Sequence, residues 1–241
     1  MSDSLIALTK ELVTLLRRIA VEHSPAVFAN SFGAEDMVLT HLIATEQISI
    51  PMFAIDTGRL PTQTYALMGA VEDRYGLPLG LVFPEREGVE AYVSAHGING
   101  FYTSIELRKQ CCQVRKLEPL QRALTGKAAW VTGLRSAQAA TRQSVAIEAW
   151  DESHSLLKFN PLAAWSKDDV WDFLRANDVP FNSLHEQGFP SIGCAPCTRA
   201  IHPGEDIRAG RWWWEAPETK ECGLHWADGK LQRNGKEAVT S

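Results

Sequence analysis

Five cysteines stand in three places: the tandem Cys111-Cys112, the pair Cys194 and Cys197 in Gly-Cys-Ala-Pro-Cys, and Cys222 alone near the C-terminus. Four thiols in two pairs make a metal-binding set, and a fifth outside it is a candidate nucleophile. Consecutive side chains on a helix diverge by about 100 degrees, so Cys111 and Cys112 are poorly placed to chelate one small ion together. A polynuclear iron-sulfur cluster, with its irons at separate corners, can use both, and ligation by Cys111, Cys112, Cys194 and Cys197 accounts for all four. Tetrahedral zinc is the alternative, and a vicinal disulfide a third. Cys194 and Cys197 also have the spacing of a dithiol redox motif, but no apolar strand precedes them. Cys222 lies in Lys-Glu-Cys-Gly-Leu-His, with no apolar period to bury it. A cationic setting would lower its pKa and populate the nucleophilic thiolate.

Cations and glycine loops form the second group. The net charge is -5, which argues against general nucleic-acid binding and requires any anion site to be a local concentration of basic residues. Arg108, Lys109, Arg115, Lys116, Arg199, Arg208 and Arg211 supply one. Ser31-Phe32-Gly33-Ala34-Glu35-Asp36 reads as a tight turn opening onto a helix, whose free N–H groups and positive dipole end suit a phosphate. Asp56-Thr57-Gly58-Arg59 is a similar turn after the next strand. Two such loops at one sheet edge form a nucleotide crevice.

The elements that must carry these residues alternate. Leu5 to Val21 has helical spacing and packs as an opening helix. Ala26 to Ala29 and Ser49 to Ile55 read as strands leading into the two loops, with helices from Asp36 and from Tyr65 to Tyr75, and Pro61 at a first helical position. Leu79 to Phe83 and Ala129 to Gly133 are further strands, with helices at Val89 to His96 and Val114 to Leu124. Ser144 to Trp150 is another strand, and Ser166 caps a helix from Lys167 to Ala176. The fold class is α/β, a mostly parallel sheet flanked by helices. With 241 residues, 45% hydrophobic, the chain can bury a full core as one unit. Residues 1–202 read as the nucleotide-binding and metal-binding domain, and 203–241 as a C-terminal segment with a mobile tail rather than an independent domain. Charges interrupt the first 20 residues and no apolar run reaches membrane-spanning length, so no membrane association and a cytoplasmic setting are expected.

Cys-Cys-Gln-Val-Arg-Lys-Leu-Glu-Pro-Leu from Cys111, Ile-Gly-Cys-Ala-Pro-Cys-Thr-Arg from Ile192, Gly-Glu-Asp-Ile-Arg-Ala-Gly-Arg-Trp-Trp-Trp from Gly204, and Glu-Cys-Gly-Leu-His from Glu221 occur in this order. Together they resemble the assimilatory adenylyl-sulfate reductases, from about Ser31 to His225. The resemblance implies a Rossmann-like adenine nucleotide alpha hydrolase fold and a 4Fe-4S cluster on the four paired cysteines. It implies reduction of adenosine 5'-phosphosulfate (APS) to sulfite and AMP in sulfate assimilation and cysteine biosynthesis. Cys222 would be the catalytic residue and would carry an S-sulfonate. Thioredoxin, or a glutaredoxin-like donor, would be an external partner, and the chain a homo-oligomer. It further implies substrate contacts at Lys116, Arg135, Arg142, Arg208, Arg211 and His225, to which the two loops add Ser31, Phe32, Gly33, Ala34, Asp56, Thr57, Gly58 and Arg59. Trp212 to Trp214 are expected to pack rather than react. The intact cysteine quartet points to APS over its 3'-phosphorylated form. An ATP pyrophosphatase would carry two adjacent glycines and a Ser after the Asp of the first loop. A metal-containing regulatory protein would have no use for the nucleotide loops.

Overall fold

The computed structural model describes residues 1–136 and 145–216. Six strands form one sheet in the order β3-β2-β1-β4-β6-β5: β1 Ala26–Ala29, β2 Met52–Ile55, β3 Gly80–Val82, β4 Ala129–Val131, β5 Glu148–Asp151 and β6 Leu156–Phe159. All neighbours are parallel except β5, which runs antiparallel to β6 at the edge. Short apolar runs such as Ala-Val-Phe-Ala and Ala-Trp-Val suit strands covered on both faces. The strand period of two divides them: Phe28, Met52, Ala54, Val131 and Phe159 enter one core, while Val27, Phe53, Trp130 and Leu156 enter the other.

The larger core is closed by α1 Asp3–Glu22, α2 Ala34–Thr45, α3 Thr62–Tyr75 and α7 Lys167–Ala176. Leu5, Leu12, Leu16 and Ile19 bury the stripe of α1, and Ser2 caps it by accepting from Leu5 N. A reciprocal capping box between Ser166 and Asp169 starts α7. The smaller core takes Leu120 and Leu124 from α6 Glu118–Leu124. The remaining helices are α4 Arg86–His96 and α5 Ile105–Cys112, the latter passing through a π turn, Gln113–Leu117, into α6. Among the described residues no helix is long and apolar enough to cross a membrane.

The structure departs from the sequence expectations in three places. Pro61 is the N-cap of α3 rather than its first helical residue, with an extended ψ of 148°. The helix expected from Val114 begins at Ile105, where Ser104 accepts from Leu107 N. The chain near Trp150 forms an edge hairpin, whose second strand β6 is the inner, parallel neighbour of β4.

Candidate active site at the switch point of the sheet

Strand order reverses at β1, which lies between β2 and β4, so the loops after β1 and β4 diverge and leave a crevice at their carboxyl ends. A cleft of about 270 Å³ occupies it. Its floor and walls include Ser31, Gly33, Ala34, Glu35 and Asp36 after β1, Thr57 after β2, and Thr132, Gly133 and Leu134 after β4. Lys116, Arg208 and Arg211 line it from outside the sheet, with Gly193 and Cys194.

The β1 loop is over-determined. Asn30 Oδ1 accepts from Phe32 N at 2.7 Å, and its amide donates to Thr40 Oγ1 at 2.9 Å. Asp36 accepts from both the N–H and the hydroxyl of Ser31, each at 2.6 Å. These bonds hold Phe32 at a φ of +60°, unusual for a bulky residue, with its side chain buried. Gly33 is the N-cap of α2 and offers no side-chain acceptor. The first-turn N–H groups of α2 therefore have no side-chain cap at the cleft, the arrangement that suits an anion.

Asp36 also accepts a bond from Gly133 N. A Cβ on Gly133 would stand 2.2 Å from its Oδ1, so the two walls of the crevice meet only because position 133 is glycine. Burial raises the Asp36 pKa from 3.8 to about 6, against the lowering effect of the Ser31 bonds and with a further push from Glu35. Asp36 is not among the residues expected at the site from the sequence, although an acid in the first turn of α2 is a visible signal. Arg135, placed by the resemblance among nucleotide contacts, is buried and donates to Glu35 at 2.8 Å.

The β2 loop is built in the same way: Asp56 Oδ1 accepts from Gly58 N and from Tyr65 Oη, both at 2.8 Å. Gly58 takes a φ of +70°. Arg115 donates to Thr57 O at 2.8 Å, and Thr57 Oγ1 lies 3.2 Å from Cys194 Sγ. Arg59 turns away from the cleft, donating to Ile98 O and lying 4.9 Å over the ring of Phe101.

A second void, about 20 Å³, is lined by Cys111, Cys112, Cys194 and Cys197 together with Arg59, Phe101, Arg108, Arg115, Lys116 and Pro196. Arg108, Cys111, Cys112, Arg115 and Lys116 recur at helical spacing and present one face to it. Cys194 and Cys197 arrive on the opposite side in a single 3-10 turn, anchored by Ala195 N donating to Arg59 O at 2.8 Å. Among the described residues no three His, Cys, Asp or Glu side chains stand ready to hold a single metal ion. Burial, reinforced by Cys194 and Cys112, pushes the Cys197 thiol up to about 12, and burial raises Cys111 as well. Four cysteine side chains converging on one void are a donor set that an iron-sulfur cluster could take up as thiolates. Lys116 and Cys194 line both the void and the cleft.

The other cations divide. Arg108 is buried and forms a two-pronged pair with Glu215 at 2.9 and 2.8 Å, under the ring of Trp212. Arg199 is held by Glu205 at 2.8 and 2.9 Å. Arg211 donates to Ile192 O at 3.2 Å, and a Cβ on Gly193 would lie 2.3 Å from its Nη2. Trp212 is buried, while Trp213 and Trp214 pack edge to face with each other and against Tyr102. Arg142, Cys222 and His225 lie outside the described residues.

A mostly parallel sheet with this strand order, a crevice at its switch point and a four-cysteine void alongside place the chain among the open-sheet α/β proteins. The family profile of the phosphoadenosine phosphosulfate reductase domain matches residues 25–200. The adenosine 5'-phosphosulfate reductase of Allochromatium vinosum is 54% identical over 224 residues, which cover 93% of this chain and 88% of that protein. Among solved structures, the phosphoadenylyl-sulfate (PAPS) reductase of Candida auris, in a phosphate complex, superposes with a TM-score of 0.68 at 27% identity, covering 83% of this chain and 98% of that one. Yeast FAD synthetase in complex with FAD shares the fold, with a TM-score of 0.53 at 19% identity over 83% of this chain and 70% of that one. This chain belongs to the phosphoadenosine phosphosulfate reductase family, and within it to the adenosine 5'-phosphosulfate reductases.

Proposed function

We propose that the chain reduces APS to sulfite and AMP with electrons from an external dithiol, thioredoxin or a glutaredoxin-like donor. The observation that carries this is the joining of the two spaces: Lys116 and Cys194 line both the nucleotide cleft and the four-cysteine void. The nucleotide would lie in the crevice with its phosphosulfate toward Lys116, Arg208 and Arg211. These cations would hold the ground-state anion and stabilise the charge that grows on the phosphate as it leaves.

The Cys222 thiolate would attack the sulfur of the sulfo group. The bond from that sulfur to the phosphate oxygen breaks, AMP departs with the bonding pair, and Cys222 carries an S-sulfonate. A donor thiolate then attacks Cys222 Sγ and releases sulfite with the electron pair, and the second donor thiol resolves the mixed disulfide and frees Cys222. His225 and Arg142 are proposed to complete the cationic surround. Residues 203–241 serve as the catalytic segment of the 1–202 domain. A 4Fe-4S cluster, when bound, would be held by Cys111, Cys112, Cys194 and Cys197 and would supply a fixed charge beside Lys116. The reading extends to a cytoplasmic homo-oligomer in sulfate assimilation and cysteine biosynthesis, selective for APS over its 3'-phosphorylated form.

An anaerobic assay of sulfite release tests it. APS with reduced thioredoxin should yield sulfite and AMP in equal amounts. Absence of sulfite from protein that binds AMP would contradict the proposed reaction.

A further inference from the structure

One polar edge of the cleft is accounted for by neither the loops nor the cations. His185 stands in the short 3-10 helix Ser183–Gln187 and lines the cleft with Pro190 and Ser191. Its Nδ1 lies 2.9 Å from the Phe189 carbonyl oxygen. A carbonyl oxygen only accepts, so Nδ1 carries the hydrogen, and in the neutral ring Nε2 is left as a bare acceptor. Burial lowers the His185 pKa, against the Phe189 bond and the Glu35 charge, which favours the neutral ring. The ring is fixed in place: Trp171 meets it edge-on at 5.3 Å, and Asn182, the N-cap of the turn, donates to Thr64 Oγ1 of α3 at 3.0 Å.

Nε2 is buried and has no partner among the described residues. It shares that condition with Trp130 Nε1, Arg211 Nε and Trp212 Nε1. Those three are N–H donors, which an anion or a ring nitrogen would satisfy. His185 Nε2 is the exception and calls for a hydrogen. Buried polar atoms without partners are uncommon in native folds, and one at a ligand cleft points to the ligand. The phosphosulfate of APS offers no hydrogen at neutral pH. Its donors are the ribose hydroxyls and the exocyclic amino group, all on the nucleoside.

We propose that His185 Nε2 accepts a hydrogen bond from the nucleoside part of the bound nucleotide, making His185 a binding residue that reads the nucleoside rather than the phosphosulfate. This rests on the reading of the cleft as an adenosine-nucleotide site. His185→Phe keeps a ring against Trp171 and removes the acceptor. His185→Gln places an amide oxygen where Nε2 stood.

Calorimetric titration of the full chain with AMP, 2'-deoxy-AMP, 3'-deoxy-AMP and purine riboside 5'-monophosphate tests the proposal. One analogue should bind the wild type about tenfold more weakly than AMP, and which one it is identifies the donor as a hydroxyl or the amine. His185→Phe should bind AMP about tenfold more weakly and no longer distinguish that analogue, while His185→Gln retains the distinction. A His185→Phe protein that keeps every analogue penalty of the wild type would overturn the proposal. Should that variant not fold, the wild type decides: if no analogue binds more than about twofold below AMP, Nε2 reads no nucleoside donor. Failure of AMP itself to bind the wild type would remove the nucleotide reading of the cleft, and this proposal with it.

Discussion

At Asp36 a single carboxylate accepts from the N–H and hydroxyl of Ser31 and from Gly133 N, tying the loop after β1 to the loop after β4. Its pKa of about 6, against an ordinary 3.8, means that the folded protein holds this proton more tightly than the unfolded chain does. The stabilising contribution is therefore present in full below about pH 4 and is lost as pH rises through about 6. Asp36→Asn cannot titrate. Denaturant unfolding of both proteins from pH 4 to 8 should show wild-type stability falling relative to the variant by about 2 kcal/mol across that interval. A difference that does not change with pH would show that Asp36 does not titrate in this range. The loops around Asp36 were legible, because Ser-Phe-Gly after an apolar four-residue run is a turn with few alternatives. The role of Asp36 was not legible, because its bond to Gly133 joins residues that only the strand order makes neighbours.

Among the elements, the α5, π and α6 run and the irregular segment up to residue 216 depend on each other. Arg108 of α5 is sealed under Trp212 and paired with Glu215, which pins the segment carrying Arg208 and Arg211 against the helix that carries Cys111 and Cys112. Removing one partner of such a pair strands a buried charge, at a cost of about 3–5 kcal/mol. Glu215→Ala should lower the thermal midpoint accordingly and weaken AMP binding through displacement of the two arginines, while Glu215→Gln recovers part of both. An unchanged midpoint and AMP affinity in Glu215→Ala would mean that the pair does not hold the segment. This pairing was hidden in the sequence, since 107 residues separate the partners. Strand β6 was hidden for a local reason: Leu-Leu-Lys-Phe alternates imperfectly and follows a polar hairpin turn. By contrast, the Ser166 cap and the apolar stripe of α1 depend on neighbouring residues alone and were readable.

At the scale of the whole molecule, two chain segments far apart in sequence bring four thiols to one void, and that void adjoins the crevice at the switch point. The thiol quartet and the nucleotide loops were legible separately as residue types at fixed spacing. Lys116, four residues beyond Cys112, already ties the two in the sequence, whereas the approach of Cys194 to the crevice depends on sheet topology and was not readable. Anaerobically purified protein should be brown, with iron and acid-labile sulfide in equal amounts, and Cys194→Ser should lower both. Colourless protein holding zinc would assign the void to a mononuclear site. The proposed role of Cys222 as nucleophile is open to mass spectrometry of protein incubated with APS in the absence of any thiol donor. One sulfonate per chain is expected, located on Cys222, lost on addition of reduced thioredoxin, and absent from a Cys222→Ser variant that still binds AMP. A sulfonate on another cysteine, or none on any cysteine while AMP is released, would contradict it.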